Sequence, residues 1–315
     1  MKVLFIASGN SQNKVVPFVK SQADSLINAG IELDFYLVVG KGIGGYLSNL
    51  KPLRKKIKEN NYNVLHSHYS YMGLLTILTF TNKYRVLSLM GSDVYPGYNS
   101  VGKPKNFKWI LNYILLLVIC LFTDKIIVKS KNILKFIPFK NKTEVIPNGV
   151  NFEKFKPSSE FLGTDRNVLF LGDILDSRKN FTLAKNAFDN FNDGQWQLLT
   201  PYPIDPNFVP SVLNSARILI CTSLNEGSPN IIKEAMACNI PIVSTKVGDV
   251  EEVIGKTEGC NLSSFDAMDF SLNMKKSAIF NSRTQGRNHI AHLDEKEISK
   301  KLLLIYNNSI ICKFN

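Results

Sequence analysis

The feature that most constrains this chain is a rhythm: short continuous runs of β-branched and apolar residues alternate with longer amphipathic stretches. Val3–Ala7, Leu33–Val39, Val64–His68, Arg85–Met90 and Lys125–Lys129 form one series of such runs, and Asn167–Leu171, Gln195–Thr200, Ala216–Thr222 and Pro241–Ser244 form a second. Runs that are apolar throughout, without period-two alternation, suit strands covered on both faces, so each series predicts a parallel sheet with helices on either side. The expected fold class is α/β, with two doubly wound parallel-sheet domains. A length of 315 residues fits two ordinary domains. Turn chemistry replaces hydrophobic periodicity from Pro147-Asn148-Gly149 to Asp165, which sets the expected domains at 1–155 and 156–293. The remainder, 294–315, opens with Asp294–Asn307, where Ile298, Leu302 and Ile305 mark an amphipathic helix that packs back towards the first domain.

Composition excludes several alternatives. With 44% hydrophobic and 20% charged residues the chain can build a large core, which rules out disorder and small disulfide scaffolds. The five cysteines, Cys120, Cys221, Cys238, Cys260 and Cys312, include no C-x-x-C pair and read as reduced core thiols of a cytoplasmic protein. The start, MKVLFIASGN, reads as a first strand rather than a signal peptide. Trp109–Phe122 is nearly all apolar, but fourteen residues at about 1.5 Å each fall short of the roughly 30 Å hydrocarbon core. A buried helix is the first reading and contact with a membrane surface the second.

Charge is distributed unequally. Residues 1–157 hold 22 Lys and Arg against 8 Asp and Glu, whereas residues 158–315 hold 16 against 18. Lys51, Arg54, Lys55, Lys56 and Lys58 form one cluster, and Lys103, Lys105 and Lys108 another. A basic surface concentrates anionic partners. No zinc-finger, RRM-like or helix-turn-helix signature accompanies it, so nucleic acid is not expected; a basic segment ahead of an apolar helix fits an anionic membrane surface better. The expected location is cytoplasmic, including the cytoplasmic face of the inner membrane.

Several short motifs fail on inspection. Gly40-Lys-Gly42-Ile-Gly44-Gly45 contains G-x-G-x-x-G, yet no acid closes the following strand to hold a ribose. His66 and His68 share one strand face, but no third metal ligand accompanies them, and a pocket wall is the better use for the pair. Strict D-x-D, G-x-S-x-G and G-x-x-x-x-G-K-[ST] patterns are absent, which removes support for metal-bound nucleotide chemistry, hydrolase nucleophiles and P-loop NTPases.

One constellation is specific. Thr222-Ser-Leu-Asn-Glu226-Gly-Ser228-Pro229-Asn230-Ile-Ile-Lys-Glu234-Ala-Met-Ala-Cys238 follows a buried strand and opens a helix. Ser228 is expected as N-cap and Pro229 as first helical residue, leaving the N–H groups of Asn230 and Ile231 at the helix start. Those donors and the positive end of the helix dipole favour a phosphate without a metal. Glu226 and Glu234 bracket that position, where they suit neutral hydroxyls through charge-assisted hydrogen bonds worth roughly 1.5–3 kcal/mol each. A capped helix with exposed glutamates is the plain alternative.

This stretch resembles the E-x7-E motif and following E-A-M-A-C-G-x-P-V-V of the family-4-like retaining glycosyltransferases of GT-B fold, the group 1 glycosyl transferases. Asn239 stands where the family has glycine. Gly91-Ser92-Asp93-Val94 is similar to the family's H-G-S-D segment, Asp124–Ser130 to its D-x-[IV]-[IV]-x-x-S strand, and Ile146-Pro147-Asn148-Gly149-Val150 to its P-N-G-V turn. The resemblance implies an enzyme with two Rossmann-like doubly wound domains facing a cleft, whose second domain binds a UDP- or GDP-linked sugar as substrate, with no separate cofactor and no metal, and whose first domain binds a lipid-linked or glycan acceptor in surface-polysaccharide synthesis. Glu234 would hold the ribose, Glu226 the transferred sugar, and Ser228–Ile231 the diphosphate. Lys179 matches the family's clamping lysine; Asp173 replaces its arginine, and Arg178 is the substitute. The implied donor-contacting set is Gly9, Asn148, Gly172, Arg178, Lys179, Glu226, Gly227, Ser228, Pro229, Asn230, Ile231 and Glu234. The implied catalytic set is Glu226, Lys179, Asp93 and His68, with His68 lining the pocket because Met90 stands where the family has histidine. A catalytically idle sugar-binding subunit and a sugar-nucleotide epimerase share the same plan and are the rival functions.

Overall fold

A computed structural model describes residues 1–10, 15–95, 106–158, 166–280 and 282–311, without the side chains of 43, 106–108, 310 and 311. Lys103, Lys105 and Cys312 lie outside the described residues. The chain divides into two compact units, one of Met1–Gly149 with Glu295–Asn315 and the other of Val150–Asp294. The sequence predicts the junctions at 155/156 and 293/294; the units meet at 149/150 and 294/295.

Unit 1 holds β1 (Lys2–Ser8), β2 (Glu32–Val38), β3 (Val64–His68), β4 (Tyr84–Leu89), β5 (Lys125–Val128) and β6 (Thr143–Val145), in the spatial order β2-β1-β3-β4-β5-β6. Every pairing is parallel. The connecting helices are α1 (Pro17–Asn28), α2 (Gly42–Leu47), α3 (Leu50–Glu59), α4 (Ser70–Leu78), α5 (Asn106–Leu121) and α6 (Lys131–Leu134). Strands such as Val3–Ala7 are buried along their whole length because helices cover both faces, which is why their sequence is apolar without alternation.

Unit 2 holds β7 (Asn167–Leu169), β8 (Gln197–Leu199), β9 (Ile218–Cys221), β10 (Ile242–Thr245) and β11 (Asn261–Ser263), ordered β11-β10-β9-β7-β8 and again parallel. Its helices are α7 (Phe181–Phe191), α8 (Val209–Ser215), α9 (Asn230–Ala237), α10 (Val250–Ile254), α11 (Ala267–Ile279) and α12 (Gly286–His289). The core between this sheet, α7 and α11 gathers Val168, Leu183, Phe188, Ile218, Phe270 and Met274.

The last helix, α13 (Glu295–Ile311), returns to unit 1. Ser21 and Ser25 of α1 bond the side chain and carbonyl of Glu295 at 2.5 and 3.1 Å, and Ser299 bonds Ser25 at 2.8 Å. Gly149 marks the close approach: a Cβ there would sit 2.6 Å from the Cα of Glu295, so no larger residue fits.

Candidate active site

Open parallel sheets present ligands with the carboxyl ends of their strands. In unit 2 the turn after β9 is tied to the turn after β7 by three hydrogen bonds. The buried Thr222 hydroxyl donates to the carbonyls of Lys179 and Asn180 at 2.9 and 3.0 Å, and the Leu224 N–H donates to the Arg178 carbonyl at 2.8 Å. Lys179 is thereby brought to Glu226, with Nζ 2.5 Å from Oε1, and the Ser223 hydroxyl donates to the same oxygen at 2.9 Å. Burial pulls the Lys179 ammonium down, but the charge and hydrogen bond of Glu226 outweigh it and hold Lys179 above its ordinary value.

The turn is also fixed from β10. Thr245 donates to the Ser223 carbonyl at 2.7 Å. At Gly248, φ is +55° and a Cβ would lie 2.9 Å from the carbonyl oxygens of Glu226 and Gly227. Only glycine accepts both the dihedral and the approach.

The helix start differs in detail from the sequence expectation. Pro229 is the N-cap and Asn230 opens α9, so Ser228 does not cap it. The Ser228 hydroxyl is committed elsewhere: it donates to Asp249 Oδ2 at 2.6 Å and accepts from Lys233 Nζ. Lys233 is fully buried, 3.6 Å from Asp249, and burial lowers its pKa against the pull of that carboxylate. Sequence reasoning missed Lys233. The available signal was a lone lysine among Ile232, Ala235 and Met236, all buried, on a helix whose polar face is carried by its neighbours.

Glu234 stands one turn along α9, half-buried; burial pushes its carboxyl up to about 7, with Lys154 and Lys233 pulling the other way. Gly172 ends the β7 turn with little room, since a Cβ would meet Lys179 Cγ at 3.3 Å. Arg178 does not join Lys179. Its guanidinium is exposed and held by Asp176 through Nε and a terminal nitrogen at 3.0 and 2.6 Å, an i,i+2 pair closed within its own turn.

Unit 1 receives the remaining candidates and recasts them. Asp93 folds back on the end of β4: Oδ1 accepts from the N–H groups of Met90 and Gly91, both at 3.0 Å, and Oδ2 from Ser70 at 3.1 Å. Burial raises its carboxyl to about 6, against the backbone donors that lower it. It edges a hollow of about 320 Å³ that Tyr69, Tyr71, Ser92, Trp109 and Tyr113 also line. His68 does not open on that hollow. It is 3% exposed, its ring stacked on His66 at 4.3 Å and tilted on Phe5 at 4.5 Å. Neither ring nitrogen has a hydrogen-bond partner, whereas His66 bonds Tyr306 and Ser88 at 2.6 and 2.8 Å. Burial keeps both imidazoles well below the usual histidine range, with Lys129 adding to the effect.

Gly9 ends β1 with its N–H on the Val38 carbonyl, and a Cβ there would meet Leu37 and Val39 at 3.0 Å. Asn148 belongs to unit 1 as well, walling a hollow of about 10 Å³ beside α13. Among the described residues no group of three His, Cys, Asp or Glu side chains could hold a metal ion. No helix among them is long and apolar enough to cross a membrane.

Comparisons with known proteins bear on the fold and the family. The model described as Glycosyltransferase Family 4 matches residues 18–154, and the model described as Glycosyl transferases group 1 matches residues 184–276. An uncharacterized glycosyltransferase of Methanocaldococcus jannaschii is 29% identical over 233 residues, covering 66% of this chain and 63% of that relative. Among solved structures, sucrose-phosphate synthase from Thermosynechococcus elongatus superposes with a TM-score of 0.80 at 14% identity, over 99% of this chain and 100% of that one. HepE of Anabaena, solved in complex with UDP and glucose, gives 0.73 at 13% identity over 98% and 100%. The fold is therefore GT-B, two parallel-sheet α/β domains. Each unit is thus similar to a family of glycosyltransferases, unit 1 to Glycosyltransferase Family 4 and unit 2 to the Glycosyl transferases group 1.

Proposed function

We propose that the chain transfers a sugar from a nucleotide-sugar, bound by unit 2, to a lipid-linked or glycan acceptor in surface-polysaccharide synthesis, with retention at the reacting carbon and without a metal. The observation that carries this reading is the turn after β9, where the start of α9, Lys179 and two acids lie together. The helix start and the lysine suit a diphosphate. Glu234 suits ribose hydroxyls and Glu226 those of the transferred sugar.

In the transfer, the bond between the anomeric carbon and the diphosphate oxygen breaks and the acceptor oxygen bonds that carbon from the same face. The acceptor proton passes to the leaving diphosphate, whose charge Lys179 stabilises. The donor is a UDP- or GDP-linked sugar; HepE was solved with UDP and glucose, which favours the uridine form. In unit 1 the tyrosine-lined hollow beside Asp93 offers ring faces and hydroxyls suited to an acceptor sugar. The basic character of that unit supports a cytoplasmic enzyme drawn to anionic membrane.

The test is a thermal-shift panel of UDP- and GDP-sugars on the whole chain, followed by titration of the best ligand. Lys179→Ala is expected to weaken it by roughly ten- to a hundredfold, the scale of one charge-assisted hydrogen bond. Because hydroxyls donate to the ionised form of Glu234, affinity should rise with pH up to about 7 and level off above it, and Glu234→Gln should flatten the profile. Titrations unchanged in both variants would remove the assignment.

A further inference from the structure

Tyr69 follows β3 and caps α4 with φ +91° and ψ 148°, a backbone region that essentially only glycine occupies. Four hydrogen bonds impose it. The Tyr69 N–H donates to the Ser88 carbonyl at 2.9 Å, its own carbonyl accepts from Met72 and Gly73 at 3.1 Å each, and the next N–H, of Ser70, is held by Asp93 Oδ2 at 3.1 Å. Strain of this kind persists only where the surroundings over-determine it, and it gathers at ligand sites. The carboxylate of Asp93 is a brace, and what it braces is the direction of one tyrosine.

That direction is into the hollow of about 320 Å³ at the carboxyl ends of β3 and β4, where Tyr69, Tyr71, Tyr95, Trp109 and Tyr113 supply five rings. The phenol of Tyr69 meets Ser92 Oγ at 3.2 Å, and that of Tyr71 donates to Asn112 of α5 at 3.3 Å, so hydroxyl and amide groups edge the rings. A volume and lining of this kind suit a small ligand with an apolar face and a few polar groups. Charge narrows the choice. Unit 1 carries 24 Lys and Arg against 9 Asp and Glu, yet the described residues that line the hollow include one acid, Asp93, and no lysine, arginine or histidine. An anionic ligand would meet a carboxylate there with no cation to offset it. A pyranose without charge presents C–H faces to the rings and hydroxyls to Ser92 and Asn112.

We infer that Tyr69 is a specificity-determining residue that touches the acceptor, and that this hollow seats an uncharged terminal pyranose and rejects acidic sugars such as uronic acids. The inference rests on the acceptor reading of unit 1 proposed above, and adds which class of sugar fits and which residue selects it.

The test reads the hollow directly, without sugar transfer. Trp109 and Trp196 are the two tryptophans, and Trp196 packs on Phe191 in unit 2, so the full chain carrying Trp196→Phe reports the hollow through Trp109 fluorescence. The methyl glycosides of glucose, galactose, mannose, N-acetylglucosamine and glucuronic acid are titrated well above the pH of about 6 at which Asp93 ionises. A saturable change is expected with at least one neutral glycoside and none with the glucuronide. In the same background Tyr69→Ala and Tyr69→Gly should weaken the neutral ligand about tenfold, the scale of a lost aromatic contact, while Tyr69→Phe stays within about threefold. Tyr69→Gly should melt above Tyr69→Ala, since only glycine takes that dihedral without strain. No response to any neutral glycoside, an equal response to the glucuronide, or unaltered affinity in both truncations overturns the inference, as do equal midpoints for those two variants. Donor titrations keep the reading of unit 2 separate: they should match the parent in every Tyr69 variant, and their failure in the parent would remove the donor site while the Trp109 titrations still decide the hollow.

Discussion

Two turns at strand ends carry acids, and they use them in opposite ways. After β4, Asp93 spends both carboxylate oxygens on three backbone N–H groups, so the acid is part of the turn's own construction. After β9, the recorded bonds of Glu226 come from side chains, Lys179 and Ser223, and both fall on one oxygen. The shape of that second turn is maintained from behind, by the buried Lys233, Ser228 and Asp249 and by the approach of Gly248. An acid bonded to backbone cannot change partners without unfolding its loop. An acid bonded to movable side chains can release them to a ligand, which is what the donor site proposed at this turn requires.

The comparison breaks first at Lys233. Removing one partner of a buried charge pair leaves the other uncompensated, at a cost of about 3–5 kcal/mol, so Lys233→Ala should lower the unfolding midpoint more than any other change in unit 2. Lys233→Met with Asp249→Asn should recover most of that loss, because no lone charge remains inside. If Lys233→Ala left the midpoint in place, the turn after β9 would owe its shape to something else and the contrast would fail.

Asp93→Ala is the matching cut in unit 1. Three backbone N–H groups lose a charged acceptor, for an expected loss on the order of 3 kcal/mol in denaturant melts. Its pH dependence gives a second reading. The folded carboxyl is raised to about 6 from 3.8, so the parent's stability from this group is complete below pH 4 and declines as pH rises to about 6. The alanine variant should lack that decline. Nucleotide-sugar affinity should be unchanged in the same variant, and a large fall there would place Asp93 at the donor site.

The sequence made the two parallel sheets legible because burial on both faces writes itself as uninterrupted apolar runs. It did not reveal β6 and β11, three residues each at sheet edges, where Thr143, Glu144 and Asn261 carry no such signature. The cluster Glu226 to Glu234 was legible as a site because spacing on a strand, turn and helix fixes which residues meet. What those residues bond was not legible, since it depends on contacts distant in the chain. Ser228 is drawn from its capping position by Asp249, twenty-one residues on, and His68 is closed in by His66 and Phe5 although its strand position suited a pocket wall. Tyr306, which bonds His66 from 240 residues away, left no mark at all in the local pattern.

The smallest effect sharpens the contrast furthest. Arg178 and Lys179 are neighbours in one turn, yet Lys179 points to Glu226 and the exposed Arg178 to the half-buried Asp176. An ion pair between near neighbours with one partner in solvent contributes about 0–1 kcal/mol. Arg178→Ala should therefore move the unfolding midpoint hardly at all and donor affinity by less than about twofold, against the much larger loss from Lys179→Ala. Isothermal titration of the two alanine variants side by side decides it. Comparable losses would mean that Arg178 leaves Asp176 when the diphosphate arrives. The turn after β7 would then supply two cations, and Asp176 would serve to hold the second in reserve.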